Sequence, residues 1–340
     1  MLAVGIDLHR RRSDVVALNE AGEVVLKRRM ASSREGFSRV FGEMEDEPFE
    51  VVFEATYGWM WVADLLADAG IPHHMAHPLA TKAITAARVK NDSVDATTLA
   101  HLLRTHLLPE AWIAPQGARD LRRLVRSRAA LMRMRSRLKC QIHAVLADHG
   151  ILPEYADLFG GAGRRYLEQL DLPSVAQHRV EALLRVIDAF SSEILTVDRE
   201  LRSAVSGDDR VRRLLAIPGV GPYTAATVVA EVWDVHRFHG PEQLACWAGL
   251  TPRERSSADH VRRGHISKQG SRWLRWVLVE ASIRACKDQK LRAFYEGIAR
   301  RRGWKIARVA LARRLLTICY YALRDSDGSR EYPASVVARS

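Results

Sequence analysis

Asp7, Glu54, Asp92 and Asp95 are the residues whose types and spacing best suit chemistry. Asp7 closes the apolar run Leu2-Ala3-Val4-Gly5-Ile6, Glu54 closes Phe49-Glu50-Val51-Val52-Phe53, and Asp92 and Asp95 lie together in Lys90-Asn91-Asp92-Ser93-Val94-Asp95-Ala96. A carboxylate just past a buried strand stands at the sheet's end, where several strands can aim acidic groups at one point. Carboxylates gathered without a counter-charge repel one another, and a bound cation removes that penalty. Mg²⁺ takes oxygen ligands in octahedral geometry, and a pair of such ions can clamp the attacking and leaving oxygens of a phosphodiester. Mg²⁺ is therefore the expected cofactor, with Mn²⁺ able to use the same ligands. The expected substrate is nucleic acid.

A second group lies far from the first. Trp247-Ala248-Gly249-Leu250-Thr251-Pro252-Arg253-Glu254-Arg255-Ser256-Ser257-Ala258 is followed by Arg262-Arg263-Gly264-His265-Ile266-Ser267-Lys268-Gln269-Gly270-Ser271-Arg272. Two serines in a basic, turn-rich loop are well placed for phosphate, with Arg253 and Lys268 as neighbouring cations. A serine hydroxyl is a poor nucleophile at neutral pH and needs a base or a metal to activate it. Between the two groups, Leu214-Leu215-Ala216-Ile217-Pro218-Gly219-Val220-Gly221-Pro222-Tyr223 matches a helix-hairpin-helix. Gly219 and Gly221 would allow the tight turn, and backbone N–H groups at the next helix start can hold a phosphate without reading sequence. A plain packing unit of two helices is the competing account.

The elements that must position these residues follow from pattern. Leu2 to Ile6, Asp14 to Leu18 and Glu23 to Met30 read as three strands of a meander. Ser33 caps a helix through about Met44, Phe49 to Phe53 is a fourth strand, Trp59 to Ala69 a helix ending at Gly70, and Pro72 to Ala76 a fifth strand. Three antiparallel strands followed by helix-linked parallel ones is the order of a ribonuclease-H-like sheet. From Gln116 to Asp148 the pattern becomes one long helix with Leu121, Leu124, Leu131, Leu138, Ile142 and Val145 on a heptad stripe, interrupted by Arg128 and Arg135. Arg122 and Arg126 belong to its arginine-rich outer faces, which favour a nucleic-acid or dimer surface. Gly160 to Gly163 reads as a flexible break, and Val175 to Ala204 as a second long helix that can pair with the first. Arg300 to Arg314 reads as a basic amphipathic helix in which Trp304 is more a core residue than a stacking one. The fold class is α/β plus α, divided as 1–115, 116–206, 207–330 and a tail at 331–340.

The 340 residues suffice for more than one ordinary domain, 47% of them are hydrophobic, and the formal charge is +12. With a pI near 9.9, the balance favours a polyanionic partner. No apolar run approaches the roughly 20 residues that span a bilayer, no signal peptide is evident, and Cys140, Cys246, Cys286 and Cys319 are scattered without zinc-site spacing. A cytoplasmic protein, associated with the nucleoid and without a membrane partner, is expected.

Taken together, Gly5-Ile6-Asp7, Phe53-Glu54-Ala55-Thr56, Asn91-Asp92 with Asp95-Ala96, Ile217 to Gly221, Gly249 to Arg253 and Ile266 to Gly270 resemble the DEDD transposases of the insertion-sequence-110 class, the bridge-RNA-guided recombinases, and the related pilin-gene invertases. The resemblance runs over nearly the whole chain. It implies a RuvC-like N-terminal domain whose metal-binding tetrad is Asp7, Glu54, Asp92 and Asp95, a helical coiled-coil middle, and a C-terminal domain with a nucleophilic serine. Ser257, five residues after Pro252, matches that serine, and the doublet leaves Ser256 as the alternative. Ala258 departs from the glycine the family commonly has there, which bears on whether this copy is active. The resemblance further implies double-stranded donor and target DNA, a structured guide RNA, and a homo-dimer or tetramer in which one subunit's serine meets another's carboxylates. The rival readings are a protein-guided DNA invertase, a metal-dependent junction nuclease using water, and a nucleic-acid-binding structural protein without activity.

Overall fold

The computed structural model describes residues 1–84, 92–257 and 260–325, with the side chains of 92–94, 255–257 and 260–263 outside the description. The chain divides into two compact units, Met1–Ala114 and Pro115–Ser340.

In the first unit, strands β1 (Leu2–Asp7), β2 (Arg12–Leu18), β3 (Val24–Ala31), β4 (Phe49–Glu54) and β5 (His73–Ala76) form one sheet. Its order is β3-β2-β1-β4-β5, with β1, β2 and β3 antiparallel and β1, β4 and β5 parallel. This is the mixed sheet expected from the sequence and is consistent with a nuclease-like domain. Helix α1 (Arg34–Gly42) starts where Ser33 accepts a hydrogen bond from the Gly36 amide, as its capping role requires. Helix α2 (Trp59–Asp68) follows β4.

Period-2 alternation assigns the two faces of the sheet. Leu2, Val4 and Ile6 of β1, Val15 and Ala17 of β2, and Val51 and Phe53 of β4 share a core with Phe37, Phe41, Val62 and Leu66 of α1 and α2. The alternate residues, Ala3, Val16, Leu18 and Val52, meet Ala96, Leu99, Ala100 and Leu103. These belong to helix α4 (Asp92–Arg104), which follows the short α3 (Pro78–Ile84).

The second unit is helical apart from one hairpin. Helices α5 (Gln116–Asp148) and α7 (Ser174–Ala204) pack along each other, and α6 (Gly161–Glu168) lies between them in sequence. The arginines that interrupt the apolar stripe of α5 are used across this pair. Arg128 forks onto Asp198, with Nη2 donating to Oδ2 at 3.1 Å, and Arg135 donates to the Ser191 hydroxyl at 3.1 Å. The expected glycine-rich break at 160–163 is instead the start of α6. Gly160 caps it, and a Cβ on Gly163 would come within 2.4 Å of the Leu158 backbone, so the glycine serves a close chain crossing.

Helices α8 (Asp209–Leu215), α9 (Pro222–Val232), α10 (Pro241–Trp247), α11 (Arg272–Ala285), α12 (Gln289–Arg302) and α13 (Trp304–Arg324) surround a second core, to which α5 and α7 contribute Leu121, Val125 and Leu201. The basic run from Arg300 is two helices rather than one. Gly303, at φ +83°, ends α12 and starts α13, whose residues Leu311, Ala312, Leu315, Leu316 and Cys319 are buried. Trp304 opens α13 with 56% of its surface exposed, so the expectation of a core tryptophan is corrected. Strands β6 (Pro252–Ser257) and β7 (His260–Ile266) make an antiparallel hairpin where a turn-rich loop was expected.

Candidate active site

The first unit brings its acids to one end of one sheet face. Ile6 pairs with Phe53 across the parallel β1–β4 ladder, so Asp7 and Glu54 close their strands at the same level. Both have the parity of the residues that face α4, not of those in the core beneath α1 and α2. Gly5 explains how α4 gets close: a Cβ there would sit 2.0 Å from the Ala96 carbonyl oxygen and 2.8 Å from the Ala100 nitrogen. Ala96 and Ala100 therefore ride directly on β1, Leu99 and Leu103 pack with Ala3 and Val52, and Arg104 at the end of the helix donates to the Glu20 carbonyl at 3.0 Å, past Leu18 and beside the amino end of β1. Helix α4 thus runs opposite to β1, and its N-terminal turn, with Asp95, lies toward the carboxyl end of the strand that carries Asp7. Asp92 is the first residue of the same helix, and its side chain lies outside the described residues. Acids in a helix's first turn are stabilised by its dipole, worth about 0.3–1 kcal/mol each at an exposed site.

Two further residues join this edge that sequence reasoning left without a role. His9 Nε2 lies 3.0 Å from Asp7 Oδ2, and Asp14 pairs with Asp7 across the antiparallel β1–β2 ladder. His74 is engaged away from the edge, with Nδ1 3.1 Å from Glu110 Oε1 and Nε2 3.4 Å from Glu50 Oε2. Lys82 is exposed on α3, whereas Arg88 and Lys90 lie outside the described residues.

Among the described residues, no three His, Cys, Asp or Glu side chains converge closely enough to hold a metal ion. The fit is therefore judged on the donor set: Asp7, Glu54 and Asp95 offer only carboxylate oxygens on one face, the ligands that hard divalent ions take. Hydrated Mg²⁺ keeps several waters and needs only one or two direct carboxylates.

The second unit holds the serine segment. Ser257 is the last residue of β6 and pairs in register with His260, Ser256 pairs with Val261, and residues 258–259 between the strands, Ala258 included, lie outside the description. The root of this hairpin joins two sequence motifs. The Ser267 amide donates to the Thr251 carbonyl at 2.8 Å, the Lys268 amide to Gly249 at 3.2 Å and Arg253 Nη2 to the Ser267 carbonyl at 3.2 Å. Gly249 (φ +68°) and Gly270 (φ +89°) permit the contact, since added Cβ atoms would lie 2.4 Å from the Gln269 oxygen and 1.8 Å from the Trp247 oxygen. Arg253 and Lys268 are both exposed.

Behind the hairpin root lies a buried ion cluster. Glu231, 1% exposed, accepts from Arg126 Nε at 2.9 Å and Nη2 at 3.0 Å, and from the hydroxyl of Ser271, the N-cap of α11, at 3.1 Å. The last carbonyls of α9 also receive arginines: Arg122 reaches Ala230 and Glu231 at 2.8 Å, Arg237 reaches Val232 at 3.2 Å and Arg210 reaches Trp233 at 2.9 Å. Cations at a helix C-terminus satisfy carbonyls that have no intrahelical partner. Burial lowers the Arg237 guanidinium to about 10 and holds that of Arg122 below its usual range, and both remain cations at neutral pH. Of the two arginines expected as phosphate contacts, Arg122 is held against the end of α9 and the buried Glu231, while Arg126 pairs with the same carboxylate from a side chain that is 42% exposed.

The glycines of the helix-hairpin-helix motif divide their work. Gly219, at φ +84°, lies against α11, where a Cβ would meet the Ala285 nitrogen at 2.6 Å, while Gly221 caps α9 with open space at its Cβ position.

An acidic sheet edge on a nuclease-like unit, carried with a separate helical unit, is consistent with an enzyme that acts on nucleic acid, and comparison with known proteins makes it a DNA transposase. Residues 4–151 match the DEDD transposase model of the IS110 group, and residues 211–296 match the model described as "Transposase IS116/IS110/IS902 family". A "Probable family 20 transposase" of Pseudomonas aeruginosa is 27% identical over 94% of this chain and 96% of its own length. The "Transposase for insertion sequence element IS1111A" of Coxiella burnetii is 28% identical over 96% of this chain and 91% of its own. The corresponding protein of element IS1328 in Yersinia enterocolitica is 24% identical over 82% of each. The chain is a transposase similar to those of the IS110/IS116/IS902 family over nearly its whole length. Among the described residues, no helix is long and apolar enough to cross a membrane.

Proposed function

We propose that this transposase cuts and rejoins DNA strands through a covalent 5′-phosphoserine intermediate. Asp7, Glu54, Asp92 and Asp95 would hold Mg²⁺, or Mn²⁺ in its place, on a RuvC-like domain. The observation that carries the reading is the shared level of Asp7 and Glu54 at the end of one sheet face, with the acidic start of α4 brought to it by Gly5. When bound, the ion supplies charge neutralisation at the phosphate and lowers the proton affinity of the attacking hydroxyl.

The chain's own residues do the rest. Ser257 attacks the scissile phosphorus, its proton leaves to solvent, and the 3′-oxygen of the cut strand departs as a hydroxyl. The resulting phosphoserine ester keeps the bond energy for rejoining, so attack by another 3′-hydroxyl restores DNA and frees the serine without ATP. Arg253 and Lys268, exposed at the hairpin root, meet backbone phosphate, as do the N–H groups of Tyr223 and Thr224 in the first turn of α9, where Pro222 has none to offer. The helical middle forms a coiled coil, and a dimer or tetramer supplies Ser257 of one subunit to the acids of another.

A structured guide RNA pairs with donor and target DNA, so that base pairing reads sequence while the protein binds shape and backbone, the logic of other RNA-guided systems. To test this, the protein is expressed with its native flanking DNA, purified at stringent salt, and the bound RNA sequenced. One discrete RNA encoded beside the gene, with loops complementary to the element's junctions, is expected. Heterogeneous or absent RNA on a folded, DNA-binding protein would leave the protein-guided invertase or the junction nuclease as the better account.

A further inference from the structure

Asp14 sits in a row of charges that runs across the sheet. Glu54 and Asp7 end adjacent strands at one level, Asp7 pairs with Asp14, and Asp14 pairs in turn with Arg29 of β3. Strand parity gives the whole row the face that α4 covers: Val16 and Leu18, which share parity with Asp14, pack on Ala96 and Ala100, whereas Val15 and Ala17 lie in the opposite core. Two carboxylates directly opposite in an antiparallel pair destabilise the sheet. Asp14 is also 8% exposed, and its Oδ2 is buried with no hydrogen-bond partner. Arg29 Nε, at 3.8 Å from that oxygen, is within ion-pair range and beyond hydrogen-bond range. A buried carboxylate that is short of a donor and faces a second carboxylate is a local conflict of the kind that marks a functional site.

We infer that Asp14 is a fifth acid of the cation site, a positioning residue that accepts a hydrogen bond from water carried by the ion and adds its charge to that of Asp7. The inference rests on the reading of the acidic edge as a divalent-metal site. A water-mediated role suits hard divalent ions, which keep several of their waters when bound.

The test uses the full chain, Mn²⁺ as the probe, binding followed by electron paramagnetic resonance of the free ion, and thermal melting with and without the metal. Asp14→Asn keeps the shape and removes the like charge. It is expected to melt higher than the wild type in EDTA, yet to bind Mn²⁺ at least about tenfold more weakly, the usual cost of losing an outer partner of a metal site. Arg29→Met removes a competing cation and is expected to bind Mn²⁺ more tightly. If Asp14 merely anchors Arg29, Asp14→Asn will melt lower and bind Mn²⁺ like the wild type, which overturns the inference while the metal-site reading stands. If the folded wild type binds no Mn²⁺, that reading fails and the inference with it. Should Asp14→Asn not fold, Arg29→Met decides: tighter binding supports the inference, and unchanged binding overturns it.

Discussion

Gly5→Ala is expected to destabilise the first unit by about 3 kcal/mol and to lower strand cleavage about a hundredfold in the fraction that remains folded. The added methyl would lie 2.0 Å from the Ala96 carbonyl oxygen, and the obstacle is helix backbone rather than a side chain that can rotate away. Relief requires α4 to rise from β1 as a body. That movement carries Asp95 away from Asp7 and Glu54, so one methyl group strains packing and chemistry together. Displacements of about 1 Å at a reacting centre cost on the order of a hundredfold. Urea unfolding of the variant gives the first number and a cleavage assay normalised to the folded fraction gives the second. Gly297→Ala is the control, because nothing lies within 4 Å of that Cβ position in the middle of α12. It is expected to stabilise by up to about 1 kcal/mol, the helix-propensity difference. Equal stability of Gly5→Ala and wild type would mean that α4 does not ride on β1 as described.

Glu231→Ala is expected to cost about 3 kcal/mol, near the lower end for breaking a buried ion pair. Arg126 is 42% exposed at its side chain and can turn toward water, which moderates the loss, whereas Arg122, at 15%, is held against the end of α9. The same substitution takes the acceptor from Ser271, the N-cap of α11, whose amide also closes the hairpin root on the Trp247 carbonyl at 3.3 Å. The hairpin that ends in Ser257 should therefore loosen, and DNA joining should fall more than the stability loss explains. Glu231→Gln keeps a hydrogen-bond acceptor for Ser271 and should recover part of both losses. Chemical denaturation of the three proteins at low and high salt checks this. A buried cluster predicts that the differences survive at high salt, because screening acts on exposed charge.

The sheet and the two long helices were legible because their residues keep one period over most of their length, with only Arg128 and Arg135 breaking the stripe of the first helix. Val4, Ile6, Val51 and Phe53 alternate with the residues that face α4, and Gln116 to Asp148 holds a helical stripe. Asp7 and Glu54 were singled out from where apolar runs end, and Asp95 from its place beside Asp92 in Lys90 to Ala96. Asp14 escaped because an acid at the first turn of a strand looks like a boundary residue, and only the register showed it opposite Asp7. His9 lies two residues beyond Asp7, and only the folded chain shows its ring turned back to the carboxylate. The β6–β7 hairpin was missed because Arg-Glu-Arg-Ser-Ser carries no apolar alternation. The partners of Arg122 and Arg126 were hidden for a related reason: an arginine stripe looks the same on a solvated face and over a buried carboxylate more than a hundred residues away in sequence. Gly163 and Gly303 show the limit of reading glycine from composition, the first serving close packing and the second a positive φ between two helices.

The central claim is a serine-bound DNA intermediate formed with the help of the acidic edge. It is tested most directly by trapping the protein on labelled DNA carrying the element's junction, in denaturing gel electrophoresis, with Mg²⁺ or EDTA. A labelled protein band that needs Mg²⁺, persists in Ser256→Ala and disappears in Ser257→Ala is the predicted result. A band that survives Ser257→Ala and is lost in Ser256→Ala would contradict the choice of nucleophile, and cut DNA without any protein-bound label would contradict the covalent mechanism itself.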